Sequence, residues 1–263
     1  MHHHLDVYAY TNGLNHVHPQ QKLLFGLALL LLTLGVSPPI QGLLWLWLSV
    51  WIVGYARIPW GVYSSLVGGM AVFWLFSLPA LLVQIAPTAV ATAPGQSLVG
   101  HLALGNWSFF VTSAGLMTAL AAGLRAITAG TCLLFIVLTT PIPMLLGVLE
   151  RWHLPSFLLD IVMLMYRYIF ILLDTAVSLQ LAQRARGGYQ RRSRWLFSLS
   201  LLAAQLLRQS LQRYQATNLA LVSRGFSGQF RVWRSRPCAY SRRYAVEAVI
   251  GASLLLLLNF TLA

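Results

Sequence analysis

The basic residues of this chain are concentrated in one stretch that lies between apolar segments. Of its 18 lysines and arginines, all but Lys22, Arg57 and Arg125 fall between residues 141 and 243. The flanking sequence is almost purely apolar, and only 9% of the whole chain is charged while 58% is hydrophobic. Because soluble domains carry roughly 25% charged residues, the chain is predicted to be an integral membrane protein. The basic stretch is expected on the cytoplasmic side, where positively charged loops are retained.

Five apolar segments are predicted to cross the membrane as α-helices. They lie at about residues 22–36, 40–55, 62–85, 114–138 and 244–263. Small residues from Ser64 to Gly69, at the start of the third span, would let another helix approach closely. The stretch from residue 86 to 113 carries no Lys, Arg, Asp or Glu and is predicted to be an outer loop, with an interfacial segment near Trp107.

The predicted fold is therefore all-α, with three parts. Residues 1–140 form an N-terminal membrane part, 141–243 a cytoplasmic helical domain, and 244–263 the last transmembrane helix. The four spans that precede the basic domain place the N-terminus on the same side as that domain. Lys22 and Arg57 then lie inside, and both outer loops are free of charge, as the positive-inside rule requires.

Two long helices are predicted within the basic stretch, at residues 156–186 and 195–222. They end in related sequences: Ala185-Arg186-Gly187 and Ser223-Arg224-Gly225. A glycine after a helix favours a left-handed cap, and a cation at a helix C-terminus is favourable by about 0.3–1 kcal/mol. Helix capping alone is one interpretation of both arginines. Their repetition favours a second interpretation, in which the two ends share a binding function.

Four charged residues lie in otherwise apolar helices. Asp160, Arg167 and Asp174 are spaced by seven, which places them on one helix face. Because charges at the bilayer centre are costly, the helix from residue 156 is predicted to lie along or under the membrane with this face partly paired. The alternative is a sixth span with a buried ion network. Arg125, within the fourth predicted span, is either a functional intramembrane charge or a structural partner of Asp160, Asp174 or a helix end.

The sequence contains no recognisable catalytic or nucleic-acid-binding motif. It lacks HExxH, CxxC, GxSxG and a Walker-type loop, and its five acidic residues form no obvious acid–base pair. The positive charge is not accompanied by any motif that would indicate nucleic-acid binding. Histidines near the N-terminus hint at metal affinity, but the run from His2 to His4 also fits a tag or chance, and His16 and His18 lack a third ligand.

Several stretches together resemble a known family, the transmembrane subunits of energy-coupling-factor transporters, in their CbiQ/NikQ branch for cobalt or nickel. The stretches are the opening LDVYAYTNGLNHVHPQQKL, then LTTPIPMLL after Arg125, MYRYIFILLD, and the ARG and SRG helix ends. Asp174 departs from the pattern, since many relatives carry Glu there.

The resemblance implies a coupling domain of long crossed helices between spans four and five. The helix-end residues that would dock two copies of an ABC-type ATPase are Ala185, Arg186, Gly187, Ser223, Arg224 and Gly225. The chain would be a non-catalytic subunit that transmits ATP-driven motion to a substrate-binding membrane subunit of the CbiM/NikM type.

A small accessory membrane subunit is an optional further partner in this interpretation, and the lipid bilayer surrounds the assembly. The chain itself would bind no cofactor or metal, since ATP is held by the ATPases and Co²⁺ or Ni²⁺ is the transported ion. Two alternatives stay open: a vitamin-transport version of the same subunit, and a membrane protein that binds anionic lipid through its basic insert.

Overall fold

A computed structural model describes residues 3–82, 84–87, 98–104, 107–152, 154–190, 192–225 and 240–262. The chain divides into two compact units. The first comprises Met1–Leu145 and Arg236–Ala263, and the second comprises Leu146–Ser235. The predicted functional division at residues 140 and 243 stays a prediction, because compactness does not assign a role to either unit.

Helices dominate both units, which confirms the all-α membrane fold. In the first unit they are α1 (His3–Thr11), α2 (Pro19–Gly35), α3 (Pro38–Val50), continued by a π-helical turn (Trp51–Tyr55), α4 (Trp60–Leu82), α5 (Ser113–Thr139) and α9 (Arg242–Leu262). A short helix, α6 (Ile142–Arg151), begins in the first unit and ends in the second. The second unit holds α7 (Ser156–Ala185) and α8 (Arg192–Ser223).

The predicted outer loop contains a small antiparallel sheet. Its strands are β1 (Gln84–Pro87), β2 (Leu98–Leu104) and β3 (Trp107–Thr112), and β3 lies between the other two. The prediction of a plain loop is therefore wrong for these strands. The sequence WSFFVT of β3 is rich in aromatic and β-branched residues, which favour strands, and pairing satisfies backbone groups that a loop would leave to solvent.

Four described helices are long and apolar enough to cross a membrane: α4, α5 from Gly115, α7, and α9 as far as Thr261. The protein is thus a multi-pass membrane protein. Helix α2 is a shorter apolar helix of 17 residues, about 25 Å long, and α3 has only 13 residues before the π-helical turn. Helix α7 also meets the length and composition of a span, so its placement along the membrane stays a prediction and the sixth span stays open.

The core of the first unit lies where α2, α3 and α5 pack together. Leu44 on α3 and Phe135 on α5 are among its fully buried side chains. Glycines allow close contacts: a methyl group at Gly26 would lie 2.5 Å from Cγ1 of Ile136, and one at Gly123 would overlap the Trp74 ring. By contrast, no atom lies within 4 Å of a methyl group placed at Gly69. No other helix of the described residues therefore packs closely against α4 at Gly69, where the small residues were predicted to allow it.

Candidate functional site

Helices α7 and α8 form an antiparallel hairpin in the second unit. The hydroxyl groups of Tyr168 and Thr217 are 2.6 Å apart. Nearer the connecting turn, Nε2 of Gln183 donates to the carbonyl oxygen of Ser198 at 3.1 Å. The end of α7 thus contacts the start of α8, and the middle of α7 contacts the later part of α8. The C-termini of the two helices therefore lie at opposite ends of the hairpin. At a rise of 1.5 Å per residue, Ser198 and Arg224 are separated by about 39 Å of helix.

The C-terminus of α7 is closed by a left-handed glycine that follows Arg186. The backbone N–H of Gly187 donates to the carbonyl of Arg184 at 3.0 Å, and that of Gly188 to Gln183 at 2.9 Å. These are the two hydrogen bonds of a Schellman motif. Gly187 has φ +72°, a value that residues with a Cβ rarely adopt. Arg186 is therefore the C-cap residue, held in a fixed backbone geometry.

The C-terminus of α8 repeats this arrangement. The N–H of Gly225 donates to the carbonyl of Val222 at 3.1 Å, and Gly225 has φ +66°. Arg224 occupies the position that Arg186 has in α7, and Ala185 and Ser223 are the last helical residues. The predicted left-handed glycine caps are confirmed at both ends. The two Arg-Gly ends thus share the left-handed glycine and the hydrogen bond from its N–H, as well as their sequence.

Both cap arginines are exposed. Among the residues that the structure describes, neither Arg186 nor Arg224 forms a side-chain hydrogen bond or an ion pair. Arg184, two residues before Arg186, differs because its guanidinium lies 6.0 Å from the centre of the Tyr189 ring. A guanidinium is a planar, permanently charged donor suited to bidentate pairing with a carboxylate. Within the described residues, the guanidinium donors of Arg186 and Arg224 therefore have no acceptor.

Among the described residues, Arg167 does not link the two aspartates of the charged face predicted on α7. Residues spaced by seven share a helix face but are about 10.5 Å apart along the axis. Accordingly, in the described part of the chain the exposed Arg167 forms no ion pair with Asp160 or Asp174. The role of this face stays a prediction.

Arg125 lies on the exposed surface of α5, so it is not a buried structural cation. One turn along, the hydroxyl of Thr128 donates to the carbonyl of Gln41 at 3.2 Å. Gln41 is in the first turn of α3, where the hairpin of α2 and α3 turns. Arg125 is therefore level with the end of this hairpin. Within the described ranges it forms no ion pair, and its predicted functional role stays untested.

His18 has a structural role that the sequence did not reveal. Its Nδ1 accepts the N–H of Gln20 at 3.2 Å, which caps the start of α2. Its ring stacks on Tyr240 with 4.2 Å between centroids. The described residues contain no group of three or more His, Cys, Asp or Glu that could hold a metal ion. The side chains of residues 1–6, which include His2 to His4, lie outside the described part.

A buried polar anchor joins the start of the chain to the end of α5. Lys22 is only 3% exposed, and its Nζ donates to the carbonyl of Thr139 at 3.0 Å. Nδ2 of Asn12 donates to the same carbonyl at 3.1 Å and to that of Ala9 at 2.7 Å. Because the last carbonyls of a helix have no partner within it, Lys22 and Asn12 complete α5 before Pro141 ends it. The sequence pattern predicted for Lys22 only a place on the inner side of the membrane, not this anchor.

The described helices and the two Arg-Gly ends define a multi-pass helical membrane protein with a distinct hairpin unit. A family model described as the CbiQ cobalt transport protein matches residues 11–233. The chain therefore belongs to the CbiQ cobalt transport protein family, which confirms the resemblance seen in the sequence. The matched region contains the buried anchor and both helix ends.

Curated relatives agree with this assignment. The chain is 32% identical to the cobalt transport protein CbiQ of Salmonella typhimurium, over 87% of this chain and 99% of that protein. It is 33% identical to CbiQ of Rhodobacter capsulatus, over 83% and 82% respectively. It is also 32% identical to a putative fused cobalt transport protein CbiMQ of Methanocorpusculum labreanum, over 86% of this chain and 37% of that protein.

Proposed function

We propose that this chain is the transmembrane coupling subunit of an ATP-driven importer for Co²⁺ or Ni²⁺. Two ABC-type ATPase subunits would dock at its two Arg-Gly helix ends, and their motion would pass through α7 and α8 to a substrate-binding membrane subunit. The observation that carries the proposal is the repeated geometry: two exposed C-cap arginines, each before a left-handed glycine, at opposite ends of one hairpin.

The physical argument for docking rests on charge and backbone shape. An arginine at a C-cap extends from the negative end of the helix dipole, which favours a cation there. A partner groove with a carboxylate could bind it bidentately, and the glycine adds no side chain that would keep the partner backbone away. Two equivalent ends about 39 Å apart along α8 suit two copies of one partner better than a single small ligand.

The fused CbiMQ relative supports a CbiM-type membrane partner, because fusion in one chain implies that the two parts work together. The hairpin also carries exposed apolar side chains that could pack against such a partner. They include Leu181, Phe197, Leu207, Leu219 and Val222. A small accessory membrane subunit remains an optional member of the assembly.

The chain is proposed to be non-catalytic, with the metal ion as cargo held by another subunit and ATP bound only by the ATPases. The relatives' names favour Co²⁺ over Ni²⁺ or a vitamin. The chain would lie in the cell (inner or plasma) membrane, and the positive-inside rule supports a cytoplasmic N-terminus and hairpin unit. Both helix ends could then meet ATPases.

Co-purification of the ATPase with the tagged full chain, from cells that express the whole transporter, tests the two docking arginines. Arg186→Ala and Arg224→Ala are each expected to lower ATPase recovery by at least tenfold, because truncating one partner of a buried charge pair costs about 2–5 kcal/mol. Uptake of radioactive Co²⁺ by the same cells should fall in parallel.

Two exposed arginines of the same unit serve as matched controls. Arg184→Ala removes a guanidinium that faces Tyr189, and Arg213→Ala removes one from the middle of α8. Both should keep wild-type ATPase recovery. If both cap variants retained full recovery and uptake, or if the controls lost as much, the docking roles would be withdrawn.

A further inference from the structure

An apolar groove separates α2 from α9 in the first unit. Its volume is about 580 Å³, within the 300–1,000 Å³ range of typical ligand sites. Phe25 and Leu32 form one wall, Ala248 and Ala252 form the other, and Trp51 lies between them. The small side chains on α9 leave the space that a larger residue would fill.

Hydrogen bonds hold the two helices together on both sides of the groove. At one end, Nε2 of Gln21 donates to the carbonyl of Ser241 at 2.9 Å, and the N–H of Ser241 donates to Oε1 of Gln21 at 3.2 Å. At the other end, the N–H and hydroxyl of Ser37 both donate to Oδ1 of Asn259 at 3.2 Å. The helices are therefore parallel and fixed, and the groove is a built feature rather than a gap left by a loose helix.

The groove has the depth of one lipid leaflet. Its lining runs from Gln21 to Leu32 on α2 and from Ser241 to Ala252 on α9, in each case about 16 Å of helix. Half of a hydrocarbon core of about 30 Å is about 15 Å. A transmembrane helix of a partner would need a groove along the full span, whereas an acyl chain needs only this depth.

Among the described residues, Arg242 supplies a positive charge at the mouth of the groove. Arg242 is exposed and lines this mouth together with Ser241 and Tyr240. The neighbouring Arg243 is engaged by Glu247, with Nε 3.0 Å from Oε1. Among the described residues Arg242 has no acidic partner. The groove thus combines an apolar interior with a cationic rim.

We propose that this groove binds one anionic phospholipid, with an acyl chain between α2 and α9 and the phosphate at Arg242. Basic sites between transmembrane helices are suited to anionic head groups, and the hydroxyl group of Ser241 can donate to a phosphate oxygen. The Tyr240 hydroxyl is already used, since it donates to Oε1 of Gln20 at 2.8 Å. The lipid would fill the space that the two fixed helices cannot close themselves.

Native mass spectrometry of the full chain tests this site. The protein is reconstituted in nanodiscs of equal amounts of phosphatidylglycerol and phosphatidylcholine and then released. Wild type should retain one phosphatidylglycerol. Ala248→Leu, which fills the groove, should lower the retained lipid at least fivefold. Arg242→Gln should lower the preference for phosphatidylglycerol about fivefold, the effect of losing one cation near a membrane surface.

The matched control is Ser253→Leu, which adds similar bulk at an exposed position of α9 that does not line the groove, and it should retain lipid as wild type does. Arg242→Gln changes an exposed side chain, so it keeps the test valid if Ala248→Leu misfolds. Equal retention of both lipids by wild type would overturn the proposal. So would an Ala248→Leu variant that keeps its lipid but loses a membrane partner, since the groove would then be a helix-docking site.

Discussion

The two units of this chain bury their side chains to very different extents. In the first unit, Leu29, Leu44, Leu48 and Phe135 are almost completely buried, and buried polar groups such as Lys22 have partners within the chain. In the second unit, α7 contains no buried residue although it is 30 residues long. Its companion α8 leaves Leu207 and Leu219 largely exposed.

This difference indicates which unit is complete by itself. A helix gains most of its stability from packing an apolar face, and the first unit does so internally. The hairpin of α7 and α8 is joined by a few polar contacts and leaves its apolar faces to lipid or to other chains. Apolar surface of this kind is available to lipid or to another chain. The unit that carries the Arg-Gly ends thus lacks the packed interior that α2, α3 and α5 give the first unit.

The largest expected effect is the difference in stability between two leucine-to-alanine truncations, one in each unit. Leu44→Ala removes a side chain that is 0% exposed and should lower the free energy of unfolding by about 2–5 kcal/mol, because it leaves a cavity. Leu207→Ala, where the side chain is 62% exposed, should change it by less than about 0.5 kcal/mol in the isolated chain. Unfolding by dodecyl sulfate in mixed micelles, followed by tryptophan fluorescence, measures both.

The same pair can sharpen the comparison once partners are present. If the face of α8 is an interface, Leu207→Ala should weaken co-purification of a partner while leaving the isolated chain stable. Equal destabilisation of the isolated chain by both variants would contradict the view that only the first unit has a closed core.

Local rules explain what could be predicted from the sequence. The ends of α7 and α8 and their glycine caps follow from Gly187 and Gly225 and their immediate neighbours, and the predicted helices end within a residue of the observed ones. Apolar length likewise predicted α4, α5 and α9. The family resemblance depended on the same short stretches.

Contacts between distant positions explain what could not be predicted. Lys22 forms a hydrogen bond with Thr139, which is 117 positions away in the sequence, and Gln21 forms one with Ser241, which is 220 positions away. No local pattern specifies such pairs, so the anchor and the lipid groove became visible only with the fold. The sheet was missed for a related reason, since strand pairing depends on segments separated by residues that carry no strong signal of their own.

A smaller but still large effect is expected at the buried anchor of the first unit. Lys22→Met removes one of the two donors to the Thr139 carbonyl and should cost about 1.5–3 kcal/mol, the usual contribution of a hydrogen bond made by a charged group. Asn12→Leu removes the second donor to the same carbonyl. Because the two donors share one acceptor, the double variant should differ from the sum of the single ones by at least about 0.5 kcal/mol. Strict additivity would show that the two donors act independently.

The smallest expected effect concerns the glycine caps, and it separates stability from docking. Gly225→Ala places a Cβ in the left-handed region, which costs about 1–2 kcal/mol, although no atom of the described residues lies within 4 Å of the new methyl group. Gly187→Ala carries the same backbone cost and adds a 3.3 Å contact with Nε2 of Gln190, so it should destabilise slightly more. Gly61→Ala, also without neighbours within 4 Å but not at a left-handed position, is the control and should be nearly neutral.

Amide hydrogen exchange at the last turn of α8 measures the local cost of Gly225→Ala. The hairpin of α7 and α8 has few internal contacts, so this strain should fray only the last turn, yet it should displace Arg224 and lower ATPase recovery. A Gly225→Ala variant with a frayed helix end and undiminished ATPase recovery would mean that the fixed cap geometry is irrelevant to docking and that the charge of Arg224 acts alone.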